Sequence, residues 1–274
     1  MSITVRKMRF EVPDDLDPVL IPGEPEESFL LAGLSLLLPY LEPYLIRTMN
    51  AAKERVDDPA LLEDLRRFNA QEGQHYRAHR RFNDAVRGHS PGFAGLAALE
   101  EALDRDYQRF TAERSLRFNL AYAEGFEAMT TATALYLLEL RGERELPQAI
   151  SDLMYWHAIE ELEHRTVAFD VYEAVCGGYL YRLAVGVFAQ LHLLRFAVRV
   201  ARLMLRADPE RVARYGGAKG RRRRIRRQLA RVARRLAPRV LRTYMPWYSP
   251  RRIAFTEEMA AVAEHYTAMA ASAR

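Results

Sequence analysis

Two short stretches, Gln71-Glu72-Gly73-Gln74-His75 and Glu161-Leu162-Glu163-His164, decide the fold of this chain. Each places a glutamate and a histidine three residues apart in the middle of a segment with helical character. Positions three apart lie on one face of an α-helix, so both side chains can reach the same ion. One such pair alone is more often a solvated helix face. Two pairs with apolar neighbours indicate a metal site.

Two lone glutamates complete the pattern. Glu42 lies among apolar residues, where an unpaired carboxylate is costly, and Glu127 lies between the two Glu-x-x-His pairs. One glutamate from each of two helices, with a Glu-x-x-His pair from each of two others, is the ligand set of ferritin-like carboxylate bundles. The longer gap before Glu127 has room for a crossover helix. The chain is therefore predicted to be all-α, a ferritin-like four-helix bundle with a crossover helix and additional C-terminal helices.

A further histidine, His157, precedes Glu161 by four residues and extends the second pair into one continuous helical stripe. The only cysteine is Cys176, which excludes a thiolate cluster within one chain. Imidazole and carboxylate ligands together suit iron or manganese. The predicted metal ligands are Glu42, Glu72, His75, Glu127, His157, Glu161 and His164.

Several alternatives remain open at this stage. Glu42 could instead interact with a helix N-terminus that begins at Pro39. Glu124 competes with Glu127, which is preferred. Glu160 and Glu163 could exchange with Glu161 if the helix rotates. His79 could support the site, although a surface or paired histidine is the preferred interpretation.

The remaining chain also has helical periodicity. A break or kink is predicted near Pro39 and Pro43, since proline removes a backbone donor. The Asp58-Pro59 pair predicts a helix start, and a loop is predicted over residues 208–220. The predicted helices span residues 59–87, 93–113, 115–140, 147–175, 179–205, 220–242 and 254–271. We expect a metal-binding unit over residues 1–178 and a C-terminal unit of apolar and arginine-rich helices over 179–274.

Composition bounds the location and the partners. Of the 274 residues, 49% are hydrophobic and 28% charged, which is enough to bury a core. The N-terminus lacks a secretory pattern, and no uninterrupted apolar run reaches about 18 residues, so a cytoplasmic protein is expected. The stretch from Arg195 to Arg242 carries 18 basic residues against two acidic ones. It favours peripheral contact with an anionic membrane or with an acidic partner, and a solvated arginine-rich helix is an equally good interpretation. Nucleic acid is disfavoured because the stretch lacks interleaved aromatic residues.

At this point the residues resemble a known family. The stretches that begin at Gln71 and Trp156 look like the two signature stretches of the bacterial "predicted metal-dependent hydrolase" family. The stripe of His157, Glu161 and His164 is also similar to the ligand helix of arylamine N-oxygenases, which are di-iron enzymes with an extra histidine. That likeness implies the seven ligands named above. The chain departs from it at Leu41, where a glycine is usual, and at Ala128, where a histidine is usual.

The leading functional prediction is oxygen activation. Two iron ions, with manganese or a mixed iron–manganese pair as variants, would bind O₂ and oxidise an organic, hydrophobic or amine-bearing substrate. The expected partners are a small-molecule substrate, an electron donor and a second copy of the chain. A two-metal-dependent hydrolase is the alternative. A non-catalytic metal-binding or membrane- and partner-interaction protein is the second alternative.

Overall fold

The computed structural model describes residues 3–143 and 145–272, and the described residues contain no β-strand. The predicted all-α class is confirmed, and the architecture is a helical bundle. Short helical turns at Lys53–Arg55, Pro91–Phe93 and Pro250–Arg252 and a π-helical turn at Val232–Leu236 join longer helices. These are α1 (Pro25–Ala52), α2 (Pro59–Gly88), α3 (Leu96–Glu113), α4 (Leu116–Glu139), α5 (Gln148–His164), α6 (Val167–Val175), α7 (Tyr179–Ala207), α8 (Pro209–Arg214), α9 (Gly217–Arg231), α10 (Ala237–Thr243) and α11 (Glu257–Ser272).

Helix α1 runs without interruption through Pro39 and Pro43, so the predicted break is wrong. Pro39 has no N–H to donate to the carbonyl oxygen of Ser35, four residues earlier. The side-chain amide of Asn83, on α2, donates to that oxygen instead, at 3.1 Å. The neighbouring helix therefore supplies the hydrogen bond that proline removes, and α1 continues.

Other helix boundaries follow local signals, with two exceptions. Asp58 accepts from the backbone N–H of Ala60 at 2.8 Å and caps α2, as predicted. The predicted helix over 147–175 is divided into α5 and α6, with an interruption at residues 165–166. The predicted loop over 208–220 is also wrong. Asp208-Pro209 repeats the start signal of α2, and α8 begins there.

Helix α7 packs closely against α1 and α4 because glycines remove the side chains between the backbones. A Cβ atom added to Gly125 of α4 would lie 2.2 Å from the Cα atom of Gly186. A Cβ added to Gly33 of α1 would lie 2.9 Å from the Cα of Ala197. The C-terminal part of the chain is thus fastened directly to two of the helices that carry predicted ligands.

The N-terminal segment, residues 3–24, lies against the bundle before α1 begins. It buries apolar side chains, and the ring of Phe10 lies 5.4 Å from that of Trp156 on α5. It also buries Arg6, which is only 4% exposed. A buried guanidinium requires anionic partners, and these lie beside the candidate metal centre described below.

The basic stretch is partly neutralised within the chain. Its arginines pair with glutamates at the start of α1, at the end of α4 and in the turn that follows α4. The pairs are Arg224–Glu26, Arg227–Glu24, Arg231–Glu27, Arg235–Glu143 and Arg239–Glu139. These arginines fasten the C-terminal helices to the bundle. Contact with an anionic membrane stays a prediction.

Two helical segments are long and apolar enough to cross a membrane by length and composition, namely Pro25–Arg55 and Tyr179–Ala207. In their most apolar windows, 61% and 44% of the residues are buried inside the molecule. Core helices of soluble proteins satisfy the same criterion.

Candidate metal centre

Four helices bring the seven predicted ligands into one cluster. Helix α1 carries Glu42, α4 carries Glu127, and α2 and α5 carry the remaining five. Candidate ligand atoms lie within 4.8 Å of one another in three groups that share members. The groups are Glu42, His75 and His157; Glu72, Glu127 and His164; and Glu72, His75 and Glu161. The structure therefore places all seven side chains together, while their role as ligands stays a prediction.

The interior of this cluster is buried and rich in unpartnered polar atoms. Among the described residues, nine buried side-chain nitrogen and oxygen atoms of the cluster lack a hydrogen-bond partner. They are both carboxylate oxygens of Glu42, Glu72 and Glu127, Oε2 of Glu161, Nδ1 of His75 and Nε2 of His164. Leaving such atoms unsatisfied costs roughly 1–3 kcal/mol each, more when they are charged. Their convergence on one space fits a cation-binding site.

The outward nitrogen of His75, the ring nitrogen Nε2 that faces away from the cluster, is held by an anionic partner. Nε2 lies 3.1 Å from Oε2 of Glu160. The other oxygen of Glu160 accepts from Trp156 at 2.9 Å and from Arg6 at 3.1 Å. Because Glu160 is paired with a guanidinium, it acts as an acceptor, and Nε2 of His75 carries a hydrogen. The inward Nδ1 then faces Glu72 and Glu161 at 3.6 and 3.8 Å.

The outward nitrogen of His164 is held by an amide. The Nε2 atom of Gln71 donates to the carbonyl oxygen of Thr4 and to Glu163, both at 2.9 Å. Both partners are acceptors, which fixes the orientation of the amide and leaves Oε1 against Nδ1 of His164 at 2.9 Å. Nδ1 therefore carries a hydrogen. The inward Nε2 lies 3.4 Å from oxygens of Glu72, Glu127 and Glu161.

Four carboxylates in this small space cannot all remain charged without cations. Burial and repulsion from Glu161 raise the pKa of Glu127 to about 8. Burial and repulsion from Glu72 raise the pKa of Glu42 well above its usual value. Burial alone would lower the pKa of His164, but Glu161 and Glu127 raise it well above normal. In the absence of metal, protons neutralise the cluster, and metal ions would have to displace them.

The alternative candidates named from the sequence, Glu124, Glu160, Glu163 and His79, belong to none of the three groups. Glu124 binds Arg182 of α7 at 2.8 Å, so the preferred Glu127 is the glutamate of α4 in the cluster. Glu160 and Glu163 both face Arg6. His79 is 4% exposed and pairs with Ser35 and His157, so it is a paired histidine and not a surface one.

Two supporting residues went unrecognised in the sequence. Gln71 belongs to the first motif and lies one turn before His75, which puts it on the same helix face. That spacing could have identified it. Arg6 has no local signal, since its carboxylate partners lie more than 150 residues away.

Aromatic residues complete the surroundings. Trp156 is fully buried, with its ring 5.1 Å from that of His75, and Phe68 lies 4.7 Å from the ring of His164. Tyr122 of α4 hydrogen-bonds to Tyr107 and His192, outside the cluster. The His157 side chain is 12% exposed, whereas those of Glu72, Glu127 and His164 are at most 2% exposed. Solvent thus reaches His157 more readily than these deeper residues.

A family model described as "Predicted metal-dependent hydrolase" matches residues 4–254. The chain belongs to this family. Neither a curated protein nor a solved structure matches it. The family description favours hydrolysis, the alternative predicted from the sequence, over oxygen activation, the leading prediction. Dependence on metal is common to both.

Proposed function

We propose that the chain is a two-metal-dependent hydrolase whose ions are held by the seven clustered side chains. The observation that carries this proposal is the convergence of nine unpartnered buried nitrogen and oxygen atoms from four helices. The family description supports hydrolysis as the reaction. A pair of metal ions in such a site supplies an activated water and stabilises the leaving oxygen of the substrate.

The protein contributes orientation and a dry surrounding. Glu160 and Gln71 keep hydrogens on the outward nitrogens of His75 and His164, so their inward nitrogens are available to a cation. Trp156 and Phe68 exclude water from the deep side of these rings. A substrate would approach from the side of His157, which is the more exposed one.

The test combines metal content with activity. The purified chain is reconstituted with Zn(II), Mn(II) or Fe(II), and bound metal is counted by mass spectrometry. Each form is then assayed against a panel of carboxylic esters and phosphoesters. About two ions per chain and metal-dependent cleavage support the proposal. Cleavage that survives complete metal removal, or the absence of bound metal after all three reconstitutions, contradicts it.

A second candidate is O₂-dependent oxidation at a di-iron centre. It is favoured by the ligand set, because two Glu-x-x-His pairs and two lone glutamates on four helices are typical of ferritin-like di-iron and di-manganese proteins. An additional imidazole from His157 suits iron. O₂ uptake by the Fe(II)-loaded chain, with an electron donor and without ester cleavage, would favour this candidate over hydrolysis.

We also infer a division of labour along the chain. Residues 1–178 hold the candidate ligands. Helix α7 packs against α1 and α4, and five arginines that follow it in the chain pair with glutamates of the bundle. The C-terminal unit would support the metal-binding unit and shield it.

A further inference from the structure

We propose that Asn83, Ser35 and His79 form a directional relay of hydrogen bonds that fixes which nitrogen of His157 is protonated. The relay places a hydrogen on Nδ1 of His157 and leaves Nε2 free to bind a cation. His79 is then a positioning residue for a ligand. The use of Nε2 by a metal ion rests on the proposed metal centre, whereas the direction of the relay does not.

The direction is set at Asn83. Its Nδ2 atom lies 3.1 Å from the carbonyl oxygen of Ser35, the oxygen that Pro39 leaves without a helical donor. A carbonyl oxygen only accepts hydrogen bonds, so the NH₂ group of Asn83 must face it. The Oδ1 atom is consequently the one that lies 2.6 Å from the hydroxyl oxygen of Ser35.

The hydroxyl group passes this direction to His79. Oδ1 of Asn83 cannot donate, so the single hydroxyl hydrogen of Ser35 points toward it. The lone pairs of the same hydroxyl oxygen remain for Nδ1 of His79, which is 2.7 Å away. Nδ1 of His79 must therefore carry a hydrogen and donate it.

His79 then determines which ring nitrogen of His157 carries a hydrogen. Its two ring nitrogens contact a hydroxyl and another imidazole, neither of which is anionic, and the side chain is buried. A neutral His79 with its hydrogen on Nδ1 has an acceptor at Nε2. That atom lies 2.9 Å from Nδ1 of His157, so Nδ1 of His157 is the donor.

The other ring nitrogen of His157, Nε2, faces Glu161. Nε2 lies 2.8 Å from Oε1 of Glu161. With the hydrogen on Nδ1, Nε2 offers its lone pair toward the carboxylate, so a proton or a metal ion must lie between these two acceptors. The reverse direction would put the hydrogen on Nε2 and block it. The relay thus selects the form of His157 that can act as a ligand.

The same logic holds for all three histidines of the cluster, with different partners. Glu160 fixes His75, Gln71 fixes His164 and the relay fixes His157. Hydrogen-bond partners of this kind orient metal-binding histidines and set their tautomers. A chance polar network gives no reason for three separate partners to aim the other nitrogen of each ring at one carboxylate cluster.

The direct test is nuclear magnetic resonance of the metal-free chain, with ring nitrogens of histidine labelled with ¹⁵N. Two-bond ¹H–¹⁵N correlations distinguish protonated from bare ring nitrogens. The expected result is a hydrogen on Nδ1 and a bare Nε2 in His79, together with a hydrogen on Nδ1 of His157. A hydrogen on Nε2 and a bare Nδ1 in His79 would overturn the relay. This measurement needs no variant.

A variant tests the consequence. Ser35→Ala removes the acceptor of His79 Nδ1 but keeps both histidines, so the tautomer preference of His79 should be lost. Affinity for Mn(II), measured by counting free ion with electron paramagnetic resonance, should fall about 10-fold or more. Ser151→Ala, at a half-buried serine of α5, is the matched control and should leave both readouts unchanged. Unchanged tautomers and affinity in Ser35→Ala would contradict the proposal.

The outcomes separate the relay from the proposed function. Predicted tautomers in a chain that binds none of Mn(II), Zn(II) or Fe(II) would support the relay and overturn the metal centre. Tight metal binding with the opposite tautomers would support the metal centre and overturn the relay.

Discussion

Arg6 donates from Nη2 to Oε1 of Glu163 at 2.7 Å and from Nη1 to Oε1 of Glu160 at 3.1 Å. Glu160 binds His75, and Glu163 binds Gln71, which in turn binds His164. One guanidinium from the N-terminal segment therefore supports the residues that hydrogen-bond to the outward nitrogens of two candidate ligands, His75 and His164. All three charged side chains are at most 3% exposed, so solvent cannot replace the arginine.

Replacement of Arg6 with methionine is expected to destabilise the protein strongly. The substitution keeps most of the side-chain volume but leaves two buried carboxylates without their cation. Removal of one partner of a buried ion pair costs about 3–5 kcal/mol. The free energy of unfolding, measured by chemical denaturation, should fall by that amount. Arg9→Met, at an exposed position of the same segment, is the control. Equal stability of the two variants would argue against the role of Arg6.

Gln71→Leu is expected to weaken metal binding. The leucine cannot accept from Nδ1 of His164, which then loses the hydrogen bond that orients the ring. Loss of such a partner typically reduces metal affinity about 10- to 100-fold. Titration of Mn(II) into the variant and into Gln74→Leu, which alters a half-buried neighbour on the same helix, gives the comparison. Wild-type affinity in Gln71→Leu would refute this prediction.

Two glutamates of α4 provide a paired test of the ligand assignment. Both carboxylate oxygens of Glu127 lack hydrogen-bond partners in the cluster, whereas Glu124 is paired with Arg182 at 2.8 Å. Glu127→Gln should therefore reduce the number of bound ions per chain, and Glu124→Gln should not. Elemental analysis after reconstitution with Mn(II) measures both. The opposite pattern would assign the role to Glu124.

The sequence predicts much of this candidate site because most of its residues are related by short spacings along single helices. Helical spacing places Glu72 with His75 and Glu161 with His164 on common faces, and chain order identifies Glu42. The relay could not be predicted, because it depends on how α1 packs against α2. The same holds for the continuity of α1, since the donor that compensates for Pro39 belongs to Asn83. Local propensity identifies a proline as a breaker, but tertiary contacts decide the outcome.

The pairing of the arginines also depends on tertiary contacts that local sequence does not reveal. A run such as Arg221-Arg222-Arg223-Arg224 is predicted to be a solvated or partner-binding face. In the structure, Arg224 is buried and binds Glu26 through two hydrogen bonds, at 2.7 and 2.8 Å. These two residues are 198 positions apart. No local pattern distinguishes Arg224 from its neighbours, so only the packing of α9 on α1 identifies it.

Metal affinity is expected to rise with pH up to about pH 8. Burial and repulsion from Glu161 raise the pKa of Glu127 to about 8, so at lower pH its carboxyl holds a proton that a metal ion must displace. The raised pKa of His75, due to Glu160 and Glu72 against the opposing effect of burial, acts in the same direction. Burial would raise the pKa of Glu161, but His164 and His157 lower it well below normal. Glu161 therefore holds no proton that a metal ion must displace.

Calorimetric titration with Mn(II) in two buffers of different ionisation enthalpy measures this effect, because released protons add the heat of buffer protonation. Protons should be released near pH 6 to 7, and fewer should be released above pH 8. Glu127→Gln cannot hold the carboxyl proton, so its residual binding should release fewer protons than that of the wild type. His265→Gln, at an exposed histidine outside the cluster, should behave as the wild type. Affinity and proton release that do not vary between pH 6 and pH 9 would mean that the buried carboxyls do not exchange protons for metal.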